Sequence, residues 1–241
     1  MSHKTGKILA WDRSYFQQED ILLLQALAPH FDYIKVGYEA LTAEDRGYGR
    51  TVAVKIRNHS PKPCMWDIKL HDINNTMSRA LRNIAEHSEK IKMLTLHASA
   101  SFNALKSAAI ICKENSILPL AVTVLSDIDE DECDDRFDQW PGELVLRRVQ
   151  EIRNCGIRGV VCSARELPYL RENDALEGMT SVVTGIRPKG SPAHDQKRIM
   201  TPAEAQNAGA DYIVVGRPVL EAADPVLAAI AIQHELDANA S

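Results

Sequence analysis

Cys64-Met65-Trp66-Asp67-Ile68 is a short apolar run that passes into alternating charge at Asp67 and the following Lys69, and that transition decides how the whole chain is read. A run this short and this apolar suits a strand covered on both faces, as in a parallel sheet. Seven more runs share its character: Lys7–Trp11, Tyr33–Val36, Met93–Leu96, Leu118–Val124, Gly159–Cys162, Ser181–Val183 and Tyr212–Val215. Between them lie stretches with helical spacing. Ile21, Leu24, Leu27 and Ala28 make one stripe, and Leu81, Ile84 and Ala85 begin another. Leu144, Val145, Val149 and Ile152 make a third, and Val226, Leu227, Ile230 and Ala231 a fourth. Strands alternating with helices predict an α/β fold with a parallel sheet. Eight such units within 241 residues fit one (β/α)8 TIM barrel spanning 1–241, with a doubly wound sheet as the competing arrangement.

The polar residues favour the barrel. Run by run, the apolar stretches meet Asp12, Lys35, Asp67 with Lys69, His97, Ser126, Ser163, Arg187 and Arg217. A closed barrel brings such strand ends to one mouth, whereas a doubly wound sheet spreads them along a line.

Composition narrows the function classes. With 45% apolar and 25% charged residues the chain reads as a soluble globular protein. A net charge of −5 argues against nucleic acid as a partner, because phosphate backbones call for a basic footprint. No apolar stretch approaches the roughly 20 residues of a membrane span, and Met1-Ser2-His3-Lys4 leads into the first run without a signal-like apolar region. Cys64, Cys112, Cys133, Cys155 and Cys162 are odd in number and scattered, with no C-x-x-C pair. They are expected to be reduced, apolar fillers in a cytoplasmic protein rather than disulfides or zinc ligands.

The third run continues as Leu70-His71-Asp72-Ile73-Asn74-Asn75-Thr76. Side chains two apart on a strand share a face, so Asp67 and Lys69 are both expected at the mouth. Asp72 follows beyond the strand end, where it need not join its own chain's cluster and could reach a neighbouring subunit. On its own, this string is equally compatible with a solvated charged turn.

The segment resembles the signature of orotidine 5′-phosphate decarboxylases, D-[LI]-K-x-x-D-I-x-x-T. Other segments agree in order along the chain: Ala10-Trp11-Asp12, Ile34-Lys35-Val36-Gly37, Leu96-His97-Ala98-Ser99, Gly185-Ile186-Arg187-Pro188, the stretch 195–202, and the stretch 210–218. The resemblance implies cofactor-independent decarboxylation of orotidine 5′-phosphate to UMP, in de novo pyrimidine biosynthesis, by a homodimer with no metal. It assigns catalysis to Lys35, Asp67, Lys69 and Asp72, with Lys69 stabilising and protonating the ring carbanion. Asp72 and Thr76 are then given by the partner subunit. Substrate contacts fall to Asp12, Lys35, Thr76, Ser126, Arg187, Gln196, Gly216 and Arg217. An alternating array of this kind is physically sensible, since each opposite charge at about 4 Å is worth roughly 4 kcal/mol at an effective dielectric of 20.

Several positions depart from the family pattern: Trp11, Asn74, Thr184, Ser126-Asp127 and Ala100-Ser101. Of these, Ser126-Asp127 bears on base recognition. Two rival readings are a Mg²⁺-dependent sugar-phosphate decarboxylase or aldolase of the same superfamily, and a non-catalytic nucleotide-binding paralogue. Ile73, Thr76 and Gln196 favour the nucleotide reading over the first, and the full Lys-Asp-Lys-Asp set argues against the second. Of the remaining features, His97 reads equally well as a base or as a hydrogen-bonded structural residue. Trp66 is expected in the core, the acidic run 127–138 as a solvated loop, and Gly190-Ser191-Pro192-Ala193 as a loop able to close over a ligand.

Overall fold

The computed structural model describes residues 4–44, 51–87, 89–189 and 199–239. Eight strands, β1 (Gly6–Ala10), β2 (Tyr33–Val36), β3 (Cys64–Leu70), β4 (Ile91–His97), β5 (Leu118–Val122), β6 (Gly159–Ser163), β7 (Thr180–Thr184) and β8 (Tyr212–Val215), pair in parallel. The pairing of β8 with β1 closes the barrel. The outer layer is α1 (Gln18–Leu27), α2 (Tyr38–Thr42), α3 (Val52–His59), α4 (Asn74–His87), α5 (Phe102–Glu114), α6 (Glu130–Phe137), α7 (Pro141–Asn154), α8 (Leu167–Glu172), α9 (Pro202–Asn207), α10 (Arg217–Leu220) and α11 (Pro225–Asn239).

Each strand divides its side chains between two layers. Ile8, Ala10, Met65, Met93, Leu120, Val122, Val161, Val182 and Val214 fill the barrel interior. Residues of opposite parity, among them Leu9, Ile34, Val36, Leu94, Val160, Val183 and Ile213, join the helices in a larger outer core. Burying one such side chain contributes about 1.5–3 kcal/mol, so both faces of every strand resist a register slip. The interior layer changes character toward the C-terminal ends. Ala10 is followed by Asp12, Met65 by Asp67 and Met93 by Thr95, which turns an apolar plug into a polar mouth.

Three of the helical stripes pack as expected: Leu24 and Leu27, Leu81, and Leu144, Val145, Val149 and Ile152 are buried. The fourth does not. In α11 the buried face is Ala229, Ile232 and Leu236, while Leu227 is 62% exposed. The first eight residues of this helix are all apolar, so composition alone leaves its rotation undetermined. The acidic run is also not a loop. Asp129 accepts a hydrogen bond from the Glu132 N–H at 3.0 Å and starts α6. Glu130, Asp131 and Glu132 then lie at the positive end of the helix dipole. Arg136 pairs with Glu132 at 2.9 Å, and Cys133 is buried beneath the helix. All five cysteines are buried, and none is joined in a disulfide.

Candidate active site

Four charged side chains alternate across the barrel mouth. Asp12, just past β1, accepts two hydrogen bonds from Lys35 Nζ of β2, at 2.9 and 3.0 Å. Lys35 Nζ lies 3.2 Å from Asp67 Oδ2 on β3, and Asp67 Oδ1 lies 2.9 Å from Lys69 Nζ. Burial opposes the Lys35 ammonium, but the carboxylates of Asp67 and Asp12 outweigh it and raise its pKa above the ordinary lysine value. Burial likewise opposes the Asp67 carboxylate, and Lys35, Lys69 and two side-chain hydrogen bonds overcome it, lowering its pKa. Lys35 and Asp67 thus each stabilise the other's charged form. Gly37 makes room for it. A Cβ there would lie 2.7 Å from Asp12 Oδ1 and 3.3 Å from Lys35 Nζ.

Asp67 and Lys69 share the mouth, though simple strand alternation does not account for it. Along β3, Trp66 pairs with Leu94 and Leu70 with Leu96, so four residue steps on one strand oppose two on the next. Lys69 occupies the left-handed region at φ 41°. A non-glycine residue held there is disfavoured by roughly 1–3 kcal/mol and persists only where its surroundings over-determine it. Thr95 of β4, fully buried, is part of those surroundings. Its Oγ1 accepts the Lys69 backbone N–H at 2.8 Å and donates to Asp67 Oδ1 at 3.0 Å. The sequence reading passed over Thr95. The available signal was one hydroxyl inside the otherwise apolar stretch Met93-Leu94-Thr95-Leu96, at the register of the mouth.

A cavity of about 690 Å³ opens over the array, within the roughly 300–1,000 Å³ usual for small-molecule sites. Of the residues singled out from sequence, Asp12, Lys35, Asp67, Lys69, Ser126, Arg187, Gly216 and Arg217 line it. Arg187 is buried, and one guanidinium N–H donates to the Ile186 carbonyl at 2.9 Å. Asp72 and Thr76 are exposed and do not line the cavity. Asp72 Oδ1 instead accepts the Ile73 N–H at 2.6 Å, beside an Ile73 side chain that is 70% exposed. Gln196 and the stretch 190–193 lie outside the described residues. Arg13 was not anticipated. It lines the cavity, pairs with Asp20 at 2.8 Å and donates to the Leu220 carbonyl at 2.9 Å, tying the loop after β1 to α10.

The departures from the family pattern fall into place. Trp11 is fully buried in the outer core, edge-on to Phe16 at 5.7 Å, and does not line the cavity. Asn74 is the first residue of α4, and Ser101 caps α5 by accepting the Ala104 N–H at 3.3 Å. Thr184 and Ser126 do line the cavity, whereas Asp127 is exposed beside it. Trp66 is half-buried against the outer core. His97 stands at the end of β4 with Nδ1 2.7 Å from Ser99 Oγ and its ring 5.2 Å from His71. Burial, then Arg148, His71 and Lys69, push its pKa down to about 4. An imidazole that far below neutrality is a poor general base near pH 7, which favours the structural of its two readings.

Fold and site together define a closed barrel with a line of alternating side-chain charges at the C-terminal ends of its strands, the end where barrel enzymes build their active sites. The chain belongs to the family described as Orotidine 5'-phosphate decarboxylase / HUMPS family, which it matches over residues 8–232. It is 39% identical over 222 residues to the orotidine 5'-phosphate decarboxylase of Rhodopseudomonas palustris (strain BisA53), covering 90% of each chain. It is 36% identical over 224 residues to that of Moorella thermoacetica, covering 89% of this chain and 86% of the relative. The crystal structure of orotidine 5'-phosphate decarboxylase from Lactobacillus acidophilus superposes with a TM-score of 0.77 at 28% identity, covering 97% of this chain and all of the other. No helix among the described residues is long and apolar enough to cross a membrane.

Proposed function

We propose that this protein decarboxylates orotidine 5′-phosphate to UMP, the last step in making the pyrimidine nucleotide, with Lys69 as the group that carries the chemistry. The observation behind this reading is the Asp12–Lys35–Asp67–Lys69 chain, with successive contacts of 2.9, 3.2 and 2.9 Å at the floor of a nucleotide-sized cavity. When the bond from the ring carbon to the carboxylate breaks, the electron pair stays on a carbon with no carbonyl placed to delocalise it. The Lys69 ammonium stabilises that pair electrostatically and delivers a proton to the same carbon; the neutral amine then regains a proton from solvent. Asp67, 2.9 Å from Lys69 Nζ, holds the lysine in place and sits beside the departing carboxylate.

The remaining residues bind parts of the substrate remote from the bond that breaks. Gly216 and Arg217, with Gln196, hold the phosphate, and Arg187 shapes the loop beside them; Asp12 and Lys35 hold the ribose; Ser126 meets the base. Binding energy from these remote groups can be used at the reacting carbon. Asp72 completes the array of a second subunit, with Thr76 beside it on that subunit's ribose, in a homodimer. The exposure of Asp72, Ile73 and Thr76 supports this, since none of the three lines the cavity above their own chain's array. The whole of 1–241 acts as one catalytic domain in the cytoplasm, without metal or other cofactor.

The test is incubation with orotidine 5′-phosphate in the presence of EDTA, following loss of the substrate's ultraviolet band. Metal-independent turnover is expected. Turnover that requires added Mg²⁺ would favour the sugar-phosphate relatives, and UMP binding without turnover a binding paralogue.

A further inference from the structure

The Ile68–Lys69 peptide is held by side chains rather than by the sheet. The excess of β3 residues between the Trp66–Leu94 and Leu70–Leu96 pairs takes this peptide out of the regular ladder. Its N–H nevertheless donates to Thr95 Oγ1 from β4, at 2.8 Å. Its carbonyl accepts a hydrogen bond from the Tyr38 hydroxyl, which reaches across from α2 on the opposite flank. One peptide plane is thus pinned at both ends by neighbours on either side of β3. The residue that follows it, Lys69, is the one in the left-handed region. The Thr95 hydroxyl also donates to Asp67 Oδ1, the oxygen that Lys69 Nζ contacts at 2.9 Å. The same side chain therefore fixes where the lysine backbone starts and where its carboxylate partner points.

We infer that Thr95 and Tyr38 are positioning residues that clamp the Ile68–Lys69 peptide and thereby aim Lys69 Nζ at the reacting carbon. Neither touches that carbon. Thr95 sets the lysine through its main chain, and Tyr38 opposes any rotation of the peptide back toward an extended strand. The role rests on the assignment of Lys69 proposed above, although the clamp can be examined separately.

Thr95→Val keeps the shape and removes the hydroxyl, and Thr95→Ser keeps the hydroxyl. With active sites counted by UMP binding, Thr95→Val should lower kcat roughly a hundredfold, the scale of a misplacement of about 1 Å in a reacting group. KM should change little, and Thr95→Ser should recover most of kcat. A purely structural threonine would lower the number of competent sites but leave kcat per site unchanged. That result, or a failure of Thr95→Ser to rescue, would overturn the inference. Tyr38 is 54% exposed, so Tyr38→Phe should fold even where Thr95→Val does not. It should lower kcat per site at unchanged KM, and wild-type kcat would remove Tyr38 from the clamp. If the wild-type protein does not turn over orotidine 5′-phosphate, the functional reading fails, and crystal structures of the same variants decide the clamp alone. Relaxation of residue 69 to negative φ supports it; an unmoved backbone and Nζ refute it.

Discussion

Replacing Asp67 by Asn removes the one negative charge between two ammonium groups while nearly preserving shape. The contacts at stake are Lys35 Nζ at 3.2 Å and Lys69 Nζ at 2.9 Å. At an effective dielectric of 20 these correspond to gross attractions of about 5 and 6 kcal/mol. Regained hydration offsets much of that, and breaking one partner out of a buried pair typically costs about 3–5 kcal/mol net. Two features reduce the figure here. Lys35 keeps both Asp12 contacts, and the Lys69 side chain is 30% exposed. A loss of roughly 2–3 kcal/mol follows, which for a chain of this length lowers Tm by roughly 4–12 °C.

The pH dependence identifies the cause. The folded-state pKa of Asp67 lies below its unfolded value. Its stabilisation is therefore complete above the unfolded value of about 3.9, and disappears as pH falls through the lower folded value. Denaturant unfolding of wild type and Asp67→Asn, at one fixed protein concentration between pH 7 and pH 3, should show a constant gap down to about pH 5 that narrows below about pH 4. Equal stability at pH 7, or a gap that does not narrow in acid, would refute the claim that the array is held together by charge.

Three other outcomes follow from the same geometry. Gly37→Ala should leave the fold intact but push the Asp12 carboxylate aside, because its Cβ would lie 2.7 Å from Oδ1. The displacement is worth roughly 1–2 kcal/mol in kcat/KM, and steady-state kinetics would read it mainly in KM. His97, with its pKa near 4, should stay neutral from pH 8 to pH 5 when its ring protons are followed by NMR; a midpoint near 6.5 would contradict the burial and charge environment assigned to it. If Asp72 serves the partner's site, mixing inactive Lys69→Ala and Asp72→Ala chains should restore about a quarter of the sites, since half of random dimers are mixed and each carries one intact site. Two variants that stay inactive together would assign Asp72 to its own chain.

The barrel was legible because both faces of every strand are apolar, which gives short continuous runs that stop where polarity begins. Tyr33–Val36 and Tyr212–Val215 coincide with β2 and β8, and the other runs differ from their strands by a few residues at the ends. Most of the mouth was legible as well, because a charged residue ending an apolar run has few places to go in a closed barrel. Other features left no such signal. The β3 bulge leaves no mark on a two-residue period, so Asp67 and Lys69 were placed together by a regularity that the strand does not keep. Thr95 is a single hydroxyl in an apolar strand, and its importance comes from contacts to the neighbouring strand β3 rather than from spacing. Rotation of α11 depends on which of several apolar faces meets α9 and α10, a choice made by packing and invisible to composition.

The assignment of Lys69 is tested most directly by measuring, on one preparation of Lys69→Ala, both turnover of orotidine 5′-phosphate and affinity for UMP. Losing both electrostatic stabilisation and proton delivery should reduce turnover at least roughly ten-thousandfold. UMP should still bind, because the proposed phosphate contacts at Gly216 and Arg217 do not depend on the Lys69 side chain. Turnover within tenfold of wild type would contradict the account.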